Sequence, residues 1–152
     1  MSIDKKFIDQ IIKVSSKAAY ASSLLVGKND KIAADKAAVD AMRTELNSLD
    51  INGKVVIGEG ELDEAPMLYI GEILGTKNGP EIDIAVDPVE GTNFAAKNLP
   101  GALSVISIAE KGNLFHAPET YMNKIAAQVD EKNVVDLDFD IKKNYPISPQ
   151  SV

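Results

Sequence analysis

The chain contains no cysteine, and His116 is its single histidine among 152 residues. Without cysteine there is neither a disulfide framework nor a thiolate metal site, and one imidazole does not make a zinc centre. Positive charge is also scarce: Lys and Arg number 16 against 23 Asp and Glu, for a net charge of −7. The basic residues form no cluster, so a phosphate backbone would be repelled and a nucleic-acid partner is not expected. No stretch approaches the roughly 20 apolar residues that span a bilayer. The N-terminal residues lack the uninterrupted apolar core of a signal peptide, so no membrane partner is expected either. Together these absences predict a soluble protein of the cytoplasm. There is no internal repeat and no low-complexity linker.

What remains is ordinary globular material, 45% hydrophobic and 26% charged, long enough for one domain with a real core. Phe7, Ile8, Ile11, Ile12, Val14, Ala18, Ala19, Leu24 and Leu25 recur at near-helical spacing, which predicts a helix over 4–26 ended by Gly27. A second helix is expected from about Asp35 or Lys36, with Ala38, Val39, Met42 and Leu46 as its apolar stripe and a stop at 50–53. Strands are expected at 54–57, at 82–86 ending in Asp87-Pro88, and at 103–109, where apolar and polar residues alternate. Lys111-Gly112-Asn113 reads as a hairpin turn into Leu114-Phe115. A helix from Pro118 through Ala127 and a short strand at 134–137 complete the layout. Helices first and mostly strands afterwards favour an α+β arrangement over a regular βαβ repeat. Residues 1–141 are expected to form the domain. Residues 142–152, with two prolines and no periodicity, are expected to be a disordered tail.

The chemistry concentrates between Lys54 and Glu90, where nine acidic residues face two lysines. A solvated acidic surface is the ordinary explanation of such a stretch. Here, however, Glu59 and Asp87 each follow a strongly apolar strand candidate, and a strand end aims a loop side chain rigidly. Carboxylates gathered at one place repel unless protonated or neutralised by a cation, and oxygen-only donors suit Mg²⁺ or Mn²⁺. In Asp87-Pro88-Val89-Glu90-Gly91-Thr92, Pro88 stiffens a turn that returns Glu90 toward Asp87. Thr92 stands where a helix through Phe94, Ala95 and Ala96 can begin, and the N–H groups of a helix start attract anions. Cation ligands beside a phosphate cradle are what metal-assisted phosphoryl hydrolysis needs. Thr92 alone is too poor a base, but a carboxylate hydrogen-bonded to it can take up a proton. Asp35 has two readings, as a helix N-cap or as a site carboxylate. Glu61, Asp63 and Glu64 read equally well as surface or supporting residues, Asp83 as a site neighbour or a backbone partner, and His116 has no role.

Asp87 to Thr92 resembles the metal motif of the lithium-sensitive, metal-dependent sugar and inositol phosphatases. The longer strings at 56–72 and 83–92, with Asn29-Asp30-Lys31, Asp35 and Ala117-Pro118-Glu119-Thr120-Tyr121-Met122, resemble the bacterial class II fructose-1,6-bisphosphatases. That resemblance implies the N-terminal half of a layered αβαβα sugar-phosphatase fold, two helices followed by a mostly antiparallel sheet, with a C-terminal α/β domain absent. It implies metal ligation by Asp35, Glu59, Asp87 and Glu90, with Mn²⁺ or Mg²⁺ as cofactor. It further implies substrate contacts from Glu90, Gly91, Thr92 and Tyr121, and water activation by Lys31, Asp35 and Thr92. The expected activity is removal of the 1-phosphate of fructose 1,6-bisphosphate in gluconeogenesis. Sedoheptulose 1,7-bisphosphate is the alternative sugar. A shortened, inactive relative that binds metal weakly or pairs with a full-length subunit is the alternative function. Apolar surface left by the absent domain favours a homo-oligomer.

Overall fold

Phe7, Ile11, Val14 and Ala18 lie on one stripe of α1 (Lys5–Ser23), and Val14 and Ala18 are completely buried by it. This is a computed structural model, and it describes residues 5–59, 68–115, 123–126, 128 and 135–144. The chain forms two compact units, Met1–Ala117 and Pro118–Val152. In the first unit α1 stops at Ser23, earlier than its periodicity suggests. The Leu25 and Val26 N–H groups bond to Ser22 and Ser23 in turns, and Gly27, at φ +76°, stands beyond them.

The second helix, α2 (Lys31–Asn47), begins four or five residues before the expected start. Its N-cap is Asp30, whose carboxylate accepts from the Ala33 N–H at 2.9 Å. Asp35 therefore sits inside the helix, and the N-cap reading of that residue is wrong. The helix extends backward because Asp30 supplies the cap oxygen and Ala33-Ala34 are strong helix formers. Ala34, Ala38, Val39, Met42 and Leu46 are its buried stripe, and the small alanines let α2 lie close to α1.

Four strands follow: β1 (Asn52–Ile57), β2 (Ile73–Leu74), β3 (Glu81–Glu90) and β4 (Leu103–Glu110), in the spatial order β2-β1-β3-β4. The β1–β2 and β3–β4 pairs are antiparallel and β1–β3 is parallel, so the sheet is mixed within an α+β arrangement. Ile82, Ile84 and Val86 of β3 enter one core with Val55 of β1 and with Val14, Ala18, Ala38, Val39, Met42 and Leu46 of the helices. By strand alternation Asp83, Ala85 and Asp87 face the other side. The short α3 (Thr92–Ala96) lies between β3 and β4.

The expected hairpin after β4 is replaced by a different device. The turn at Lys111-Gly112 is present, but no strand follows it at Leu114-Phe115. Instead the buried Asp83 carboxylate accepts from the Gly112 N–H at 2.7 Å and the Leu114 N–H at 3.3 Å. In the second unit residues 123–126 are not helical, Val135 and Asp136 are irregular and Leu137 is in a turn. Neither the expected end of a helix nor the last strand forms there; the rest of both segments lies outside the described residues. The unit does contain α4 (Ile141–Asn144), which begins one residue before the expected tail. The Asp140 carboxylate accepts from the Lys143 N–H, and the Asn144 amide bonds to both the N–H and the C=O of Asp136. Among the described residues no helix is long and apolar enough to cross a membrane.

Candidate metal centre

Strand register brings the first two carboxylates level. Ile57 of β1 pairs with Ala85 of the parallel β3, so two residues further on Glu59 arrives beside Asp87. Glu59 is held there by its own N–H, which donates to the Leu68 carbonyl at 2.9 Å. The approach is so close that a Cβ on Gly58 would stand 2.2 Å from that carbonyl oxygen, which is why glycine precedes Glu59.

The third carboxylate arrives by a bulge. The strand does not stop at Asp87-Pro88, as the sequence suggests, but runs through Pro88 to Glu90. From the pair Asp87–Val105 to the pair Glu90–Leu103, β3 advances three residues while β4 advances two. One residue is extra, and a bulge of this kind re-aims side chains and accommodates a proline that cannot donate to the ladder. Pro88 and Val89 are buried, which anchors the bulge and leaves Asp87 and Glu90 flanking it. Asp87 consequently stands near enough to both Glu90 and Glu59 for their carboxylates to act on its protonation.

Gly91 then turns the chain at φ +80°, ψ +45°, a left-handed conformation in which a Cβ would also meet the Phe94 ring at 3.0 Å. Its carbonyl accepts from the N–H groups of Phe94 and Ala95, and Thr92 becomes the first residue of α3 as expected. The loop before α2 is tied to this helix: the Gly27 and Asn29 N–H groups donate to Ala95 and Ala96 at 3.0 and 2.8 Å. Lys31, exposed, and Asp35, half-buried, therefore lie on the opening turns of a helix whose entry is fastened to α3.

The electrostatics of the cluster are those of charge held away from water. Burial pushes the Asp87 carboxyl up to about 6, and the hydrogen bond and negative charge of Glu90 push the same way. The Glu59 hydrogen bond and the Val89 N–H oppose them. Burial also raises Asp35. Asp35 Oδ1 and Asp87 Oδ1 are buried without a hydrogen-bond partner, the state in which a carboxylate oxygen is available to a hard cation. By donor chemistry the residues fit Mg²⁺ or Mn²⁺. Among the described residues no three Asp, Glu, His or Cys side chains are already gathered closely enough to hold an ion.

The other acids of the 54–90 stretch that are described are used elsewhere. Glu72 pairs with Arg43, Glu81 with Lys111, and Asp83 holds the 112–114 turn. Glu61, Asp63, Glu64, His116 and Tyr121 lie outside the described residues. The sequence reading singled out Asn29 only as part of a motif and missed Arg43. The available signal was that Arg43 is the only arginine among 16 basic residues.

The described residues form an α+β unit in which Glu59 and Asp87 meet beyond the ends of a parallel strand pair. The particular lineage comes from comparison. The family described as bacterial fructose-1,6-bisphosphatase, glpX-encoded, matches residues 5–147, and the chain belongs to that family. A D-fructose 1,6-bisphosphatase class 2/sedoheptulose 1,7-bisphosphatase from Synechococcus sp. (strain CC9902) is 50% identical over 135 residues, 89% of this chain and 40% of its own. A protein of the same description from Prochlorococcus marinus (strain MIT 9303) is 46% identical over 148 residues, 97% of this chain and 44% of its own. The chain thus spans about two-fifths of the length of the curated relatives it matches. Among solved structures, an extragenic suppressor from Pyrococcus furiosus aligns with a TM-score of 0.45 at 14% identity, over 70% of this chain and 41% of its own.

Proposed function

We propose that this chain carries the cation- and phosphate-binding part of a divalent-metal-dependent phosphatase that removes the 1-phosphate of fructose 1,6-bisphosphate, a cytoplasmic step of gluconeogenesis. The observation that carries the reading is Asp87, with its carboxyl raised to about 6 between Glu59 and Glu90 and with Oδ1 buried and unbonded. Asp35, Glu59, Asp87 and Glu90 would hold Mn²⁺ or Mg²⁺. A divalent ion there supplies positive charge opposite the charge that develops on the phosphoryl group. Glu90, Gly91 and Thr92 meet the phosphate, the left-handed turn at Gly91 bringing backbone close to it. The Thr92 hydroxyl orients water, and Asp35, its affinity for a proton raised by burial, takes the proton. Lys31, one helical turn before Asp35, joins Asp35 and Thr92 in positioning and activating the water. Tyr121 contacts the substrate.

Relatives described as acting on both fructose 1,6- and sedoheptulose 1,7-bisphosphate support the second sugar as a further substrate. The same reading has the working enzyme assemble as a homo-oligomer. A second function, a weak metal binder that pairs with a full-length subunit without turning over, is favoured by the absence of a preassembled three-donor group among the described residues.

Phosphate release from fructose 1,6-bisphosphate with Mn²⁺ or Mg²⁺ distinguishes the two. Turnover that is abolished by Asp87→Ala supports the enzyme. A folded chain with no turnover in either metal overturns it in favour of the weak binder.

A further inference from the structure

We propose that Arg43 and Glu72 are positioning residues for Glu59, forming a clamp that sets where this carboxylate stands in the cation site. The inference rests on the metal-site reading above and extends it to residues with no contact to the ion.

Arg43 is the only guanidinium in the chain. From the α2 helix it takes the Glu72 carboxylate with two nitrogens, Nε to Oε1 at 2.8 Å and Nη2 to Oε2 at 3.1 Å. The side chains are 23% and 12% exposed, so this is a forked, partly buried pair rather than a solvated surface contact. Removing one partner would leave the other poorly solvated, so the pair resists opening.

The clamp acts on a specific strip of chain. The Glu72 carbonyl accepts from the Val55 N–H at 2.9 Å, and the Gly71 N–H donates to the Val55 carbonyl at 2.8 Å. The strip beginning at Leu68 is thereby zipped onto β1 at its far end by Glu72. At its near end the Leu68 carbonyl receives the Glu59 N–H at 2.9 Å, with Gly58 allowing the contact. Leu68 itself is completely buried. The strip is thus fixed at Leu68 by burial and at its far end by the Arg43 fork on Glu72 together with the β2–β1 pairing that follows it, and Glu59 hangs from the first of these points. Loosening Glu72 lets the strip between Leu68 and β2 work away from β1 and shifts the acceptor on which the Glu59 backbone depends. A ligand carboxylate displaced in this way loses affinity for the ion, and supporting partners of metal ligands are commonly worth about 10–100-fold. Lysine keeps the charge but not the fork, which makes Arg43→Lys the informative substitution.

Two measurements on the intact chain test the clamp. Amide hydrogen exchange by NMR should show the Glu59 and Gly71 amides exchanging about tenfold faster in Arg43→Lys, with the β3–β4 ladder unchanged. Mn²⁺ titration should show affinity weakened by about 10-fold in Arg43→Lys and up to about 100-fold in Arg43→Met. Unchanged exchange at Glu59 overturns the clamp whatever the metal does. Faster exchange with unaltered Mn²⁺ affinity also overturns it, leaving Arg43 a purely structural residue. Asp87→Asn in the same titration separates the two ideas. If the parent chain and Asp87→Asn bind Mn²⁺ alike, the metal-site reading fails and the clamp falls with it, whereas a parent that outbinds Asp87→Asn but not Arg43→Lys overturns the clamp alone.

Discussion

Asp87 must hold a charge where the surroundings resist it. Burial and the neighbouring Glu90 raise its carboxyl from 3.8 to about 6, so the folded chain binds that proton more tightly than the unfolded chain does. The stability this contributes is complete below about pH 4 and is lost as pH rises through 6. Metal-free Asp87→Asn should therefore melt higher than the parent above pH 6.5. The gain is about 1 kcal/mol once the partial exposure of the group is allowed for, and the difference should close toward pH 4. Thermal melts across that range check it, and parallel curves for the two proteins would refute it. The sign reverses when a divalent cation is present, because the ionised carboxylate is then the stabilised form; Mn²⁺ binding should weaken as pH falls below 6. The candidate carboxylates at this scale were legible because the motif is contiguous. The role of Asp83 was not, since a carboxylate in a strand looks the same whether it serves a site or a turn.

At the scale of elements, the sheet depends on contacts its own residues do not announce. Asp83 of β3 receives two N–H groups from the segment after β4, and this makes it a brace between a central strand and the end of its neighbour. Asp83→Ala would leave both donors without their acceptor. It should cost about 1–3 kcal/mol, read as a lower midpoint in urea with an unchanged slope. Loss of Mn²⁺ affinity alongside unaltered stability would instead make Asp83 part of the site. The helix periodicities were readable because an amphipathic stripe repeats locally. The start of α2 was misread because its first turn offers only Ala34 to the buried stripe, and the cap at Asp30 decided it. The length of β3 was misread for a related reason. Proline usually ends a strand, but a bulge lets this one pass through Pro88 to Glu90.

The first unit has its core on one side of the sheet and brings Glu59 and Asp87 together at the end of two parallel strands. Exposed apolar side chains remain on the sheet, with Ile73 at 44%, Leu103 at 61% and Val105 at 44% exposure. If the carboxylates receive a divalent ion, the ion binds the folded chain in preference to the unfolded one. Mn²⁺ at about 100 times its dissociation constant should then add about 2.7 kcal/mol, a rise of several degrees in Tm. Chelation with EDTA should return the melting curve to its metal-free position. A Tm indifferent to both additions would count against any cation site in this chain.

The existence of the first two helices, of the strands at 52–57, 81–90 and 103–110, and of the acidic motif was legible in the sequence alone, because hydrophobic period, turn chemistry and contiguous donors are local properties. The family likeness rests on the same local strings. Tertiary structure alone decided which of the acids converge. Glu72, Glu81 and Asp83 are withdrawn from the cluster by partners 29 to 31 residues away, whereas Glu59 reaches Asp87 only through the register of β1 on β3. Charge spacing along a chain cannot distinguish these fates. A carboxylate becomes a counter-ion, a brace or a candidate ligand according to what the fold brings to it.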